Sequence, residues 1–310
     1  MKTILLLGGY GFLGTNIIKM IDDSFTQSYR VVVLDRMLSH PSGLMFECVK
    51  KVYVGDFSDE SLLKSVFEEN DIDMVIHSLS TTIPLGTNNA RFDIETNLVP
   101  TIKLMDCMLE HRVYDIVFIS SGGAIYGNNY EGAHKEDENA SPISSYGVVK
   151  LTVEKYLMQY AANYGLRPLV LRLSNPYGPY HYSMKQGLVN VALATALGNE
   201  RFVVWGDGTA EKDYIYVRDF VSIMFQLIDQ GIHSKVINVG SGQVASVNQI
   251  LGEIKQMIPS FSWEYKEASK LDVSRFELDT TLLSSYIGAY AFVKLDEGVK
   301  MTYEWEKQRR

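Results

Sequence analysis

Cysteine is nearly absent. There are two in 310 residues, Cys48 and Cys107, in unrelated segments and without a Cys-x-x-Cys pair. A disulfide framework is therefore excluded as an organising principle, and the expected compartment is reducing. No apolar run approaches the ~18 residues of a spanning helix. Met1-Lys2-Thr3-Ile4-Leu5-Leu6-Leu7 begins like a signal peptide, but Gly8 and Gly9 cut it short and no small-residue cleavage site follows. No lysine or arginine cluster stands out, and the formal net charge is -8. That sets aside nucleic acid and anionic membrane as main partners. Internal repeats and low-complexity stretches are lacking too, and no metal is expected. What is present is a chain with 46% hydrophobic residues, enough for a substantial core in one large or two modest domains. The reading is a soluble, cytoplasmic protein.

Residues 4–7 form a continuous apolar run, as a strand buried on both faces requires. Gly8-Gly9-Tyr10-Gly11-Phe12-Leu13-Gly14 follows at once, and residues 12–21 read as a helix with Leu13, Ile17, Ile18 and Ile21 on one side. Strand, glycine turn and helix are the setting of a dinucleotide site. The glycines let the backbone approach a pyrophosphate, and the helix N-terminus offers free N–H groups. A second strand, 31–35, ends in Asp35, about twenty residues past Gly14, where a carboxylate accepts ribose hydroxyls and repels a 2′-phosphate. NAD is thus favoured over NADP, although Arg36 next door is a residue that accepts such a phosphate. Asp56 closes a third strand, 52–56. His77 closes a fourth, 74–77, and reads as a structural strand-end residue.

A helical stretch over about 89–111 precedes a fifth strand, 116–120, which ends in Ser120-Ser121-Gly122-Gly123-Ala124-Ile125-Tyr126-Gly127. The polar segment 128–141 reads as a loop. A helix from about 144, capped by Ser144 or Ser145, runs to about 164, where Gly165 ends it. It carries Tyr146 and Lys150, four residues apart and so on one face. A phenol near pKa ~10 is a poor base at neutral pH, and an adjacent ammonium lowers that value. The pair is a candidate proton acceptor for a sugar or alcohol hydroxyl. After a sixth strand, 169–173, the alternation of strands and helices stops. The fold expected is α/β, a doubly wound parallel sheet over 1–174 that also takes in about 213–239, with a second, smaller domain over 175–310.

Taken together, these motifs resemble the extended short-chain dehydrogenase/reductases, in particular the NAD-dependent sugar epimerase/dehydratase family. Arg172-Leu-Ser-Asn175-Pro-Tyr-Gly-Pro179, Trp205-Gly-Asp-Gly-Thr209 and Asp213-Tyr-Ile-Tyr-Val-Arg-Asp219 extend the likeness nearly end to end. The resemblance implies Tyr146 as base, Lys150 as its partner on the nicotinamide ribose, and cofactor contacts from Gly8, Gly11, Phe12, Leu13, Gly14, Asp35 and Arg36. Asp56, Phe57, Leu79, Ser80, Asn97, Ser120 and Leu173 complete that set. Asn175, Lys212, Arg275 and Phe276 correspond to substrate contacts, with Lys270 a further phosphate candidate. Lys212 stands where many relatives carry Arg; it keeps the charge and loses the bidentate fork.

Within the family, dehydratases carry an Asp-Glu pair ahead of the Tyr-Gly that corresponds to Tyr126-Gly127. Here Gly122, Gly123 and Ala124 stand in that stretch, so a UDP-hexose 4-epimerase is implied, acting through a 4-keto sugar. The alternatives are an NAD(P)-dependent nucleotide-sugar reductase or dehydrogenase, and a non-catalytic Rossmann sensor. The family's catalytic Ser or Thr falls at Gly122. Ser121, re-aimed by the glycine pair, a water, or direct transfer to Tyr146 would replace it. Phe276 either narrows the sugar pocket or packs the core. The family also implies a homodimer through a four-helix bundle, with Met105, Met108, Leu109, Val149, Val153 and Leu157 as apolar contacts.

Overall fold

The computed structural model describes residues 1–81, 89–128, 132–267 and 274–310. Lys270 lies outside the described residues. Strand β1 (Lys2–Leu7) is buried from Thr3 onward, and α1 (Phe12–Ser24) follows the glycine turn. The chain continues through β2 (Tyr29–Asp35), β3 (Val49–Val54), α2 (Glu60–Glu68) and β4 (Met74–His77). The helix expected over 89–111 is broken into α3 (Ala90–Asp93), a π-helical turn (Ile94–Leu98) and α4 (Val99–Glu110), with Pro100 in the first turn of α4. Then come β5 (Asp115–Ser121), the four-residue α5 (Gly122–Ile125), α6 (Ser145–Tyr164) and β6 (Arg167–Leu173). Ser144 caps α6 by accepting from the Gly147 N–H, and Gly165 ends it at φ +78°.

These strands and β10 (Lys235–Val239) form a seven-stranded sheet in the order β3-β2-β1-β4-β5-β6-β10, every described pairing parallel. One face is covered by α1 and by α8 (Val217–Asp229), around Ile17, Ile18, Phe220, Met224 and Val239. The other is covered by α2, α4 and α6, around Val66, Leu104, Met108, Val153 and Leu157. Order reverses beside β1, so a crevice opens at the carboxyl ends of β1 and β4, the switch point where such sheets bind ligands.

The remaining elements are β7 (Asn175–Tyr177), α7 (Leu188–Leu197), β8 (Phe202–Trp205), β9 (Glu211–Tyr216), β11 (Val244–Ser246), α9 (Val247–Met257), β12 (Trp263–Lys266), β13 (Arg275–Phe276), α10 (Thr281–Ile287) and α11 (Leu295–Gln308). Strand β9 pairs with β7, β11 and β13, and β12 pairs with β8. Around them a third core gathers Tyr177, Leu193, Tyr216, Ile250, Ile254 and Val299.

The apolar stripe expected at a dimer contact is corrected. Met105, Met108, Val149, Val153 and Leu157 are buried in the chain's own core, and Leu109 packs against it. A helix laid on a sheet spends its most apolar face there. The large apolar side chains left exposed on these helices are Phe92, Ile94 and Val99 on one helical stretch and Val148, Tyr156 and Tyr164 on α6. Among the described residues, no helix is long and apolar enough to cross a membrane. No group of His, Cys, Asp and Glu among them forms a metal site.

Candidate active site

A cleft of about 1010 Å³ runs from the switch point across to β8 and β9. At its floor Gly8 takes φ +77°, a conformation glycine adopts without strain. A Cβ on Gly14 would lie 2.1 Å from the Gly8 carbonyl oxygen, so only glycine lets α1 start this close to the turn. The N-cap of α1, Gly11, makes no side-chain cap, leaving first-turn N–H groups for an anion. This cradle fits the pyrophosphate of a dinucleotide. Gly8, Gly11, Phe12, Leu13 and Gly14 all line the cleft.

Asp35 sits buried at the end of β2. Its carboxylate accepts from the Tyr10 N–H at 2.9 Å and the Met37 N–H at 3.1 Å, which orients it toward the cleft it lines. Arg36 is paired with Asp56. Asp56 also accepts from the Ser58 N–H and hydroxyl, and is held below its usual range by those bonds and by Arg36 against the opposing effect of burial. Arg36, Asp56, Phe57, Leu79, Ser80, Ser120 and Leu173 also line the cleft. Asn97 does not. Its Oδ1 accepts from the Thr81 N–H at 2.9 Å and its Nδ2 donates to the Thr81 hydroxyl at 2.7 Å. The π-helical turn aims it at a small cavity of about 10 Å³ beside Tyr146 and Lys150 instead.

Tyr146 and Lys150 both line the cleft. The expected depression of the phenol is corrected: burial pushes Tyr146 up to about 12, and a hydrogen bond with the Ser121 hydroxyl only partly offsets this. Lys150 Nζ donates to the Ile119 carbonyl at 2.9 Å and lies 4.5 Å from the Phe118 ring centroid, against 5.9 Å from that of Tyr146. Burial drives the ammonium itself down to about 8, with Glu154 opposing. His77 is a buried strand-end residue, its Nε2 3.1 Å from the Thr101 hydroxyl, its ring between Phe57 and Phe118. Burial, and then the Lys150 charge, lower its pKa to about 3, so it is neutral.

Ser121 lines the same cleft as Tyr146 without being re-aimed. It closes β5 with extended backbone, φ -134° and ψ 107°, and the two glycines start α5. Gly122 has another use: a Cβ there would lie 3.0 Å from both methyls of Leu278 and 3.1 Å from Phe276 Cζ. The space beside Gly122 is closed by an apolar cluster of Tyr126, Phe276 and Leu278.

On the opposite wall, Asn175, Lys212 and Phe276 line the cleft. Asn175 Nδ2 donates to the Asp213 carbonyl at 2.9 Å, and Phe276 is the strand partner of Lys212. Phe276 therefore both packs and lines. Arg275 is not among the lining residues. Adjacent strand residues point to opposite faces, and its guanidinium meets Glu211 at 2.6 Å and Glu277 at 3.2 Å. The sequence reading also missed the aromatic run Tyr177, Tyr180, His181 and Tyr182, all of which line the cleft. His181 packs edge-on against Phe12 at 4.8 Å, and Asn16 of α1 donates to the Pro179 carbonyl at 2.9 Å. The signal available was the density of aromatics in a Pro/Gly loop directly after β6.

A doubly wound sheet that brings a glycine cradle, a strand-end carboxylate and a Tyr-Lys pair to one cleft defines a Rossmann-fold, NAD-binding enzyme. A model of the NAD dependent epimerase/dehydratase family matches residues 4–240, and the chain belongs to that family; its cofactor is NAD. It is 29% identical to a putative UDP-glucose 4-epimerase of Methanocaldococcus jannaschii, over 98% of each chain. It is 25% identical to a dTDP-D-glucose 4,6-dehydratase of Mus musculus, over 99% of this chain and 89% of that one. A UDP-glucose 4-epimerase of Thermotoga maritima, solved with UDP-glucose, superposes with a TM-score of 0.90 at 30% identity and covers 99% of both chains.

Proposed function

We propose that the protein is an NAD-dependent UDP-hexose 4-epimerase of the UDP-glucose/UDP-galactose type. The observation that carries this reading is the composition of the cleft beside Tyr146. Hydroxyls from Ser120, Ser121 and Ser144 line it, and the only carboxylates among the described lining residues, Asp35 and Asp56, belong to the adenosine end. Expelling water from a sugar needs an acid and a base near its C5 and C6, and the stretch 122–124 that would carry them is Gly-Gly-Ala. A proton acceptor without such a pair suits epimerisation. Arg36, tied to Asp56, and the carboxylate of Asp35 favour NAD over NADP, which weighs against a reductase.

The chemistry NAD supplies when bound is reversible hydride acceptance at the sugar carbon. Tyr146 takes the proton from the 4-hydroxyl and returns it, with Ser121 bridging the two oxygens. Burial raises the phenol, so this needs positive charge close by; Lys150, one helical turn away, and an oxidised nicotinamide would supply it together once the cofactor is bound. A 4-keto sugar that turns its other face toward the cofactor would receive the hydride back at C4 and the proton back from Tyr146 on its oxygen, and so leave as the epimer. Asn175 and Lys212 hold the sugar diphosphate, and the bulk of Phe276 favours sugars without a 2-acetamido group. In this reading 1–174 with about 213–239 forms the cofactor domain and the rest of 175–310 the nucleotide-sugar domain. Two copies pair through the exposed apolar residues of the α3–α4 stretch and α6, Phe92, Val99, Val148 and Tyr156. Incubation with UDP-glucose or UDP-galactose is the test. Interconversion without net NADH supports the reading; a 4-keto-6-deoxy product, or stoichiometric consumption of reduced cofactor, overturns it.

A further inference from the structure

Helix α6 is pinned to the end of β5 at two successive residues, and the next, Ser121, lines the cleft with Tyr146. Lys150 Nζ donates to the Ile119 carbonyl at 2.9 Å, and the Ser120 hydroxyl donates to Glu154 Oε1 at 2.6 Å. The first of these contacts belongs to a group proposed for proton transfer. The second uses Glu154, one turn beyond Lys150 on the same helical face, its side chain 2% exposed. A carboxylate that deep needs a charged partner. Arg172 on β6 is that partner, with Nη2 2.8 Å from Oε2 and Nε 3.1 and 3.2 Å from the two oxygens. Its Nη1 donates to the Tyr126 hydroxyl at 2.8 Å, and Tyr126 packs with Phe276.

Stability does not call for this arrangement, since well-packed apolar side chains commonly replace a buried ion pair at no loss. What they cannot do is set a negative charge one turn from a buried ammonium while holding the Ser120 hydroxyl. We propose that Glu154 is a positioning residue for the reaction: it keeps the end of β5 in register with α6 and supplies the charge that Lys150 faces inside the fold. This rests on the Tyr146–Lys150 chemistry proposed above.

Of the charged and titratable groups on the elements around Lys150, Tyr146 and Glu154 share its helix, His77 on β4 feels its charge, Arg172 on β6 is bound to Glu154, and Asp93 is buried on α3, which packs on α6. Arg172 is committed to Glu154 and His77 is neutral, so Glu154 is the group that opposes the downward pull of burial on Lys150. The ammonium is fully charged below its pKa and loses its charge as pH rises through it. Without Glu154's charge that loss moves to lower pH.

Glu154→Gln keeps the size of the side chain and removes the charge. Because it leaves Arg172 unneutralised, the double variant Glu154→Gln/Arg172→Met is made beside it. Two profiles are recorded on the NAD-loaded proteins from pH 6 to 10: turnover of UDP-hexose, and exchange of bound NAD for labelled NAD, which needs no sugar. The alkaline limb of both is expected to move about one pH unit toward acid in the neutral variants. Glu154→Asp, which keeps the charge, should leave the limb in place while lowering turnover. An exchange limb unmoved in both neutral variants overturns the proposal, as does an equal shift in Glu154→Asp. If the wild type interconverts no UDP-hexose yet the exchange limb moves, the epimerase reading falls and this one stands.

Discussion

Serine in place of Gly122 would put a second hydroxyl directly after Ser121, and the structure says what it would meet there. The new Cβ would stand 3.0 Å from both Leu278 methyls and 3.1 Å from Phe276 Cζ. Carbon contacts are comfortable at ~3.5–4.0 Å, so each falls short by about half an ångström. Neither neighbour has an open side: Leu278 is 3% and Phe276 2% exposed, and each is anchored by strand-type pairing, to His134 and to Lys212. Overpacking of this kind costs about 1–3 kcal/mol. Replacing a helical glycine returns about 0.5 kcal/mol. The net expectation is a loss of roughly 0.5–2.5 kcal/mol and a thermal midpoint a few degrees lower, at ~2–4 °C per kcal/mol. Scanning calorimetry at saturating NAD reads it. A Leu278→Ala background should absorb most of the loss, because the two sites share one space and their effects will not add. Turnover should fall as well, since Phe276 must shift at the cleft wall. A Gly122→Ser protein as stable as the wild type, with raised turnover, would refute this reasoning. The apolar cluster would then yield without cost, and the hydroxyl would belong at 122 rather than 121.

Tyr146→Phe should lower turnover by about 10²–10⁴-fold with UDP-sugar binding retained, because the ring still packs while the proton acceptor is gone; near-normal turnover would remove the mechanism. Ser121→Ala should cost about 10- to 10³-fold in turnover, the scale of one positioned hydrogen bond, with NAD content unchanged; full activity would leave Tyr146 to accept the proton directly or through water. Chromatography of the cofactor released on denaturation should give NAD, and a predominance of NADP would contradict the roles assigned to Asp35 and Arg36. Light scattering should give a dimer at micromolar concentration that Val148→Glu with Tyr156→Glu dissociates; a monomeric wild type would sink the proposed interface.

Much of this protein was legible without coordinates, because its strongest signals are local. A buried parallel strand is an unbroken apolar run, as at residues 4–7, and a glycine turn into a helix is defined by residues a few positions apart. The Tyr146–Lys150 face follows from helical geometry alone, and Asp35 from its distance along the chain. What depended on packing could not be read in this way. Which face of α4 and α6 is spent on the home sheet is decided by the sheet, so Met105, Met108 and Leu157 turned inward. The two sides of β13 separate Phe276 from Arg275 through a pairing with β9 that is more than sixty residues distant in sequence. The phenol of Tyr146 is raised rather than lowered because burial outweighs its hydrogen bond with Ser121, while the Lys150 ammonium bonds the Ile119 carbonyl. Gly122 looked like a missing hydroxyl, and only the fold, by bringing Leu278 and Phe276 against it, made its lack of a side chain a packing requirement. Sequence carries the residues that chemistry needs; their desolvation, their neighbours and hence their pKa values exist only once distant segments close around them.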